Sequence, residues 1–367
     1  MRQLPELLAR MLPAPRKGGF RMEGYWIWCG SVIMGEDGKY HMFASRWPKS
    51  QPMHPGWLLE SEIVRAVSDT PEGPYTFQEV VLGKRGPAYW DGRMTHNPRI
   101  VKSGDSYILY YTGTTHPFAD VRPGETVAQD DPRVITARAN KRVGIAVSKS
   151  VYGPWERKDA PLLAARPGKF DSFLTSNPSP CQMEDGSTHL IYKARAYKEP
   201  PYEGMLHGPM SLGAARFGGS LDCCLERWEK PLFSDARYEI EDPFVFRENG
   251  CFYMIAKDMR GNLCGEQYGG LWAWSEDGWN WSFAKGEKAY SRTVLFDDGR
   301  TETLGNADRP FLLFDADGEA THLFLAVSNG TNSFLDATDT WNLVIPLKGK
   351  DGRRNETDRK SDHSDRY

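Results

Sequence analysis

The chain has no excess of either charge. Its 46 Lys and Arg stand against 49 Asp and Glu, for a net charge of −3. That balance excludes the basic field by which proteins collect nucleic acid or anionic membrane, so neither is an expected partner. No apolar run reaches the ~18 residues that a membrane span requires. The six cysteines are too sparse for a secreted disulfide scaffold and show no zinc spacing, so reduced, buried thiols are their plain reading. The sequence has no Walker loop and no dinucleotide fingerprint. It has no Gly-x-Ser-x-Gly elbow, and no helical histidine pair suggests a catalytic zinc. No cofactor and no metal ligand set are expected. The opening "MRQLPELLARMLPAP" carries Glu6 and is broken by prolines, so it does not read as a signal peptide. A cytoplasmic protein is expected, or a periplasmic or secreted one if a signal peptide is missing from this chain.

Glycine (36) and proline (25), by contrast, are plentiful, which fits many short strands joined by turns. Aromatic residues are 12 % of the chain, with 12 Trp and 16 Tyr; many must pack a core, but such enrichment also suits stacking on sugars. At 367 residues the chain is long enough to bury a sizeable core without disulfides.

Five segments repeat one pattern. They are "CGSVIMGEDGKYHMFASR" from Cys29, "HNPRIVKSGDSYILYYTG" from His96, "SNPSPCQMEDGSTHLIYKAR" from Ser176, "EDPFVFRENGCFYMIAKD" from Glu241 and "DRPFLLFDADGEATHLFLAVSN" from Asp308. Each runs from a polar pair through an apolar strand and a glycine-containing turn into a second strand. A third strand follows in most units, as in "IVRAVSDTPEGPYTFQEV" and "VGIAVSKSVYGPWERKD". Five such units at intervals of roughly 60–70 residues spell an all-β fold, a five-bladed β-propeller with four-stranded blades and a short N-terminal helix. The expected organisation is an N-terminal helical segment over 1–23, the propeller over 24–347 and a disordered, charged tail over 348–367. The polar insert at 115–142 is either disordered or a lid over the binding face.

In a propeller the inner strands line a central channel, and the polar pairs of all five blades converge on its mouth. The pattern resembles the five-bladed propeller glycosidases: arabinanases and β-xylosidases, invertases and levansucrases, and neoagarobiose hydrolases. The resemblance covers about residues 24 to 347, and it implies a glycosidase acting on carbohydrate. It further implies a carboxylate base on the first blade, a supporting aspartate on a middle blade and a glutamic general acid on a later one. Glu241 matches the last of these. The first position holds Cys29, and the middle positions hold Asn97 and Asn177. Some members of the resembling group carry a structural calcium in the channel.

The catalytic candidates are Glu241, Asp242, Asp308 and Asp171. Glycoside hydrolysis needs two carboxyl groups in different protonation states, and crowding by like charge produces such a split. The substrate-binding candidates are Asp91, His96, Asn97, Asn177, Lys193, Asp258 and Arg309. Each has a structural alternative: residues before proline often cap turns, and the acids can pair with Arg309, Lys257 or Arg237. Lys193, Arg195, Arg309 and Arg99 hint at an anionic sugar. The expected function is an exo-acting, inverting glycoside hydrolase that releases a terminal sugar. Its rivals are a glycoside phosphorylase and a non-catalytic sugar-binding propeller. The helix in "LPELLARML" could pack on a second subunit, which would give a homo-oligomer.

Overall fold

The computed structural model describes residues 4–200, 206–221, 223–235 and 237–350; most of the expected tail therefore lies outside the described residues. The fold is an all-β, five-bladed propeller. Blade I contains Tyr25–Met34, Tyr40–Pro48, Glu62–Ser68 and Thr76–Leu82. Blade II contains Met94–Ser103, Ser106–Thr114, Arg142–Ser148 and Glu156–Arg157. Blade III contains Leu174–Gln182, Thr188–Arg195, Ser211–Phe217 and Cys224–Arg227. Blade IV contains Ile240–Glu248, Cys251–Asp258, Gly270–Ser275 and Ser282–Tyr290. Blade V contains Asn306–Phe314, Ala320–Ser328 and Thr340–Pro346. All blades are antiparallel meanders. Each inner hairpin turns on a glycine with positive φ, namely Gly38, Gly104, Gly186, Gly250 and Gly318, the conformation these tight connections demand.

Burial follows position in the blade. The second strand of blade IV, Cys251–Asp258, is buried on both faces and reads as a nearly continuous apolar run. The outer strand Thr76–Leu82 alternates between exposed and half-buried residues, because only one face packs. The apolar residues fill the gaps between neighbouring blades. One cluster joins Ile108 and Ile145 of blade II to Leu190 and Ala215 of blade III.

Blade V has three strands of its own, and the N-terminal segment fills its fourth place. Leu12 N–H donates to Pro346 O at 2.8 Å, and Phe20 exchanges two 3.0 Å hydrogen bonds with Asn342. The last blade is thus closed by the first residues of the chain. The N-terminal helix is a single turn, Leu7–Arg10, with Leu7 buried. Leu7 packs into the core and Leu8 is exposed, and a single turn with one exposed leucine gives the expected homo-oligomer no support.

The polar-Pro signature marks a bulge inside each inner strand, three to five residues in. The register shifts between Trp28 and Ser31, His96 and Arg99, Glu241 and Phe244, and Asp308 and Phe311, and blade III shifts opposite Ser176. The bulged residues Cys29, Asn97, Asn177, Asp242 and Arg309 all have φ between 50° and 57°. A proline follows four of them. It lacks the N–H that a bulge leaves unpaired, and it disfavours right-handed helical geometry in the residue before it.

Candidate active site

The five bulges aim their side chains at the propeller axis, where four of them form a hydrogen-bonded chain. Cys29 Sγ donates to Asn97 Oδ1 at 2.6 Å, Asn97 Nδ2 to Asn177 Oδ1 at 2.7 Å, and Asn177 Nδ2 to Asp242 Oδ1 at 2.8 Å. Arg309 Nη1 reaches the same Asp242 oxygen at 3.3 Å and completes the belt. All five residues are buried. Burial pushes the Cys29 thiol up to about 12, so it is a protonated donor and no nucleophile.

On the belt rests a pocket of about 400 Å³. Its floor is Asn97, Asn177, Asp242 and Arg309; Trp28, Trp47, Trp57 and Phe334 supply aromatic walls. Glu241 and Asp308, the residues just before Asp242 and Arg309, bring carboxylates into it. Lys257, on the return strand of blade IV, ties the acids together. Its Nζ lies 2.8 Å from Asp308 Oδ2, 3.1 Å from Glu241 Oε2 and 3.6 Å from Asp242 Oδ2. Lys193 makes a second, short ion pair with Glu241. Arg237 pairs with Asp235 instead of with the pocket acids.

These contacts split the two acids. Burial alone would raise Glu241, but Lys193 and Lys257 overcome it and hold the group well below the ordinary range. Burial raises Asp308 from 3.8; Lys257 opposes it, Asp242 and Glu241 add to it, and the result is about 6. Lys257 is held up, against burial, by Asp308, Glu241 and Asp242. Glu241 is therefore ionised at neutral pH, while Asp308 sits within reach of its protonated form.

His96 also lines the pocket. Its ring stacks on Trp57 at 4.7 Å and its Nδ1 is 2.8 Å from Ser61 Oγ. Burial, then Arg309 and Lys141, keep it neutral. Lys193, Asn97, Asn177 and Arg309 stand where the repeat geometry put them. Asp171 and Asp91 do not line the pocket. They are repeat-equivalent, each six residues before an Asn-Pro pair, but each is a fully buried clamp. Asp171 accepts from Arg166, Tyr192 and Arg227, the last at 2.6 Å. Asp91 accepts from Arg85 at 2.6 Å and from Tyr111 at 2.7 Å. Asp258 is outside the pocket as well. It caps its own loop through four backbone N–H groups, Leu263 N at 2.7 Å being the shortest. Arg99 is buried beside the belt, with its Nη2 on Pro310 O at 2.7 Å, and does not reach the pocket.

Sequence reasoning missed residues carried by two insertions. The segment Met53–Glu60 between the second and third strands of blade I brings His54 and Trp57. The insert at 115–142 is ordered as the helix Pro132–Ala139 and brings Arg138 and Lys141. The two insertions pack together through Leu58, Leu59, Val127, Val134 and Ala137, so the insert acts as a wall. Its basic ending, "TARANKR", was the available signal.

The channel does not suit the calcium of the resembling group. Among the described residues no three His, Cys, Asp or Glu side chains converge to hold a metal ion. Arg309 stands against Asp242 at the axis, and a cation there would meet its guanidinium.

No protein-family model matches the sequence, and no curated protein matches it. Solved structures do match in fold. A thermostable family-43 glycoside hydrolase matches 93 % of this chain and 94 % of its own, at 14 % identity and a TM-score of 0.61. A family 117 glycoside hydrolase of the marine bacterium Zobellia galactanivorans matches over 92 % and 89 %, at 16 % identity and a TM-score of 0.63. A family-43 β-xylosidase/α-arabinofuranosidase from a compost metagenome, solved with xylotriose, matches over 94 % and 98 %, at 14 % identity and a TM-score of 0.60. The likeness spans the whole propeller, and at these identities it is a likeness of fold.

Proposed function

We propose that the protein is an exo-acting, inverting glycoside hydrolase that releases a terminal sugar. The observation that carries this is the protonation split of Glu241 and Asp308, which share one ammonium, Lys257. Asp308, raised to about 6, is the group whose protonated form gives a proton to a leaving glycosidic oxygen. Glu241 is the ionised partner that takes a proton from attacking water. Lys257 keeps Glu241 charged in a buried site and fixes both groups. Glycosidases of either stereochemistry pair two carboxyl groups in this way, and the anomer of the product distinguishes them. The exo mode is supported by the belt, which closes the floor so that a glycan enters by one end only. Trp57, half-buried in the pocket wall, offers an aromatic surface for a sugar ring.

The test is a glycan-library screen with purified protein, followed by product analysis. A single released terminal sugar is expected, and proton NMR should show the anomer opposite to that of the substrate. Retention would make Glu241 a nucleophile, internal cleavage would refute the exo mode, and binding without turnover would leave a sugar-binding propeller.

A further inference from the structure

One wall of the pocket is more cationic than acid–base chemistry requires. Arg138 and Lys141 come from the insert of blade II, and Lys193 and Arg195 from the second strand of blade III. The single pocket carboxylate on this side, Glu241, is already engaged by Lys193 and Lys257. Lys141 is only 3 % exposed, and no carboxylate among the described residues pairs with it. Its Nζ lies over the Trp57 ring, 5.0 Å from the centroid. Arg138 has a 3.4 Å contact to His54 Nε2 and no acid partner among the described residues. Arg195 donates to Gly208 O at 2.8 Å and keeps a loose 3.8 Å contact to Glu239.

This crowding strains the wall. Burial first, then Lys193 and Arg138, hold Lys141 well below its ordinary value. Burial, with Arg138 and Lys141, holds His54 down to about 3. Desolvated like charges without a counter-ion are costly, and a buried cation ordinarily has an anionic partner. Here the missing partner's place opens into the pocket, next to an aromatic face.

We propose that Arg138, Lys141 and Arg195 form an oxyanion subsite that holds a carboxylate or sulfate group carried by the sugar, while its ring lies against Trp57. The substrate class is thus an acidic glycan. This rests on the glycosidase reading for its context, but binding can be read without turnover. A guanidinium and an ammonium side by side suit a planar carboxylate or a sulfate. The same chemistry would attract inorganic phosphate, as a phosphorylase requires, and the experiment must separate the two.

Wild-type protein is titrated calorimetrically with D-glucuronate, D-galacturonate and galactose 6-sulfate, with glucose and galactose, and with inorganic phosphate. At least one acidic sugar should bind at least tenfold more tightly than its neutral counterpart. Lys141→Met and Arg138→Met should each weaken that sugar roughly 10- to 100-fold, the worth of a charge-assisted hydrogen bond, and weaken neutral sugars far less. Lys141→Met should also keep or raise Tm, because it removes an uncompensated cation. Equal binding of neutral and acidic sugars, or no binding of any acidic sugar at millimolar concentration, would overturn the proposal. So would a Lys141→Met variant that loses Tm and keeps its affinities. Phosphate binding that is lost in both variants, with sugar phosphate as product, would replace the sugar-borne anion by a co-substrate. The two readings fail separately: acidic-sugar binding without hydrolysis sinks only the hydrolase, and hydrolysis of a neutral glycoside unaffected by Lys141→Met sinks only the subsite.

Discussion

At the scale of single residues the site is governed by one lysine. Lys257 touches three carboxylates, and how those acids share its charge decides which holds a proton. Asp308 is raised from 3.8 to about 6. A general acid must be protonated, so kcat/KM should decline as pH rises through about 6, and Asp308→Asn should abolish that limb along with most of the turnover. The loss expected for a general acid or base is roughly 10²- to 10⁴-fold. The stability sign follows from the same shift. Ionising Asp308 is harder in the folded chain than in the unfolded one, so its penalty is absent below the unfolded value and complete above about 6. The Tm advantage of Asp308→Asn over wild type should therefore grow between pH 4 and pH 6; a constant difference would refute the assignment. Glu241→Gln is the opposite case. Glu241 stabilises the fold as an anion between two lysines, so its neutral isostere should lower Tm as well as turnover. Unchanged turnover in both variants, on any substrate that wild type cleaves, would remove these carboxylates from the mechanism.

At the scale of elements the bulge is the functional unit. Each inner strand contributes one left-handed residue, which turns a side chain out of the ladder and into the channel. Where the freed N–H is not lost to proline it is handed to a neighbouring blade: Asn97 N donates to Ser45 Oγ and Asn177 N to Thr112 Oγ1, both at 3.0 Å. In blade I the proline position is Gly30, whose N–H donates to Asn342 Oδ1 at 2.8 Å; a Cβ there would stand 2.8 Å from Asn342 Cγ. Two variants of Asn177 separate backbone from side chain. Asn177→Gly keeps the left-handed backbone and loses only the belt, leaving Asn97 and Asp242 short of a partner at about 1–3 kcal/mol. Asn177→Val adds the strain of a β-branched residue at φ 50°, a further ~1–2 kcal/mol. Urea denaturation should rank wild type above Gly and Gly above Val. Equal stability of the two variants would mean that the conformation carries no constraint.

At the scale of the whole molecule the ring is shut by its own first residues. Phe20 is 1 % exposed and pairs with Asn342 of the last blade. Phe20→Ala should destabilise by about 3–5 kcal/mol, the usual cost of a large core truncation. Deleting residues 1–23 should do more, because it also bares the outer edge of blade V. An unpaired edge invites association, so gel filtration of the truncated chain should show aggregates. A truncated chain with wild-type Tm and elution volume would show that the closure contributes nothing.

The repeated strand pattern, the five Gly turns and the polar-Pro signatures determined the propeller, because each is a local signal with a local cause. They also brought Glu241, Asp308, Lys193, Asn97 and Asn177 to one mouth, since register in a repeat fixes position. The same signals could not tell a pocket carboxylate from a clamp. Asp171 and Asp91 share their spacing before Asn-Pro, yet each is enclosed by an arginine of its own loop, Arg166 or Arg85, and by one from its blade's outer strand, Arg227 or Arg157, and the latter is a fact of packing between distant segments. Tertiary structure likewise decided the protonation of Glu241 and Asp308. A pKa in a buried site depends on which cations lie within a few ångströms, and Lys257 reaches its three acids only after blades IV and V have closed against each other.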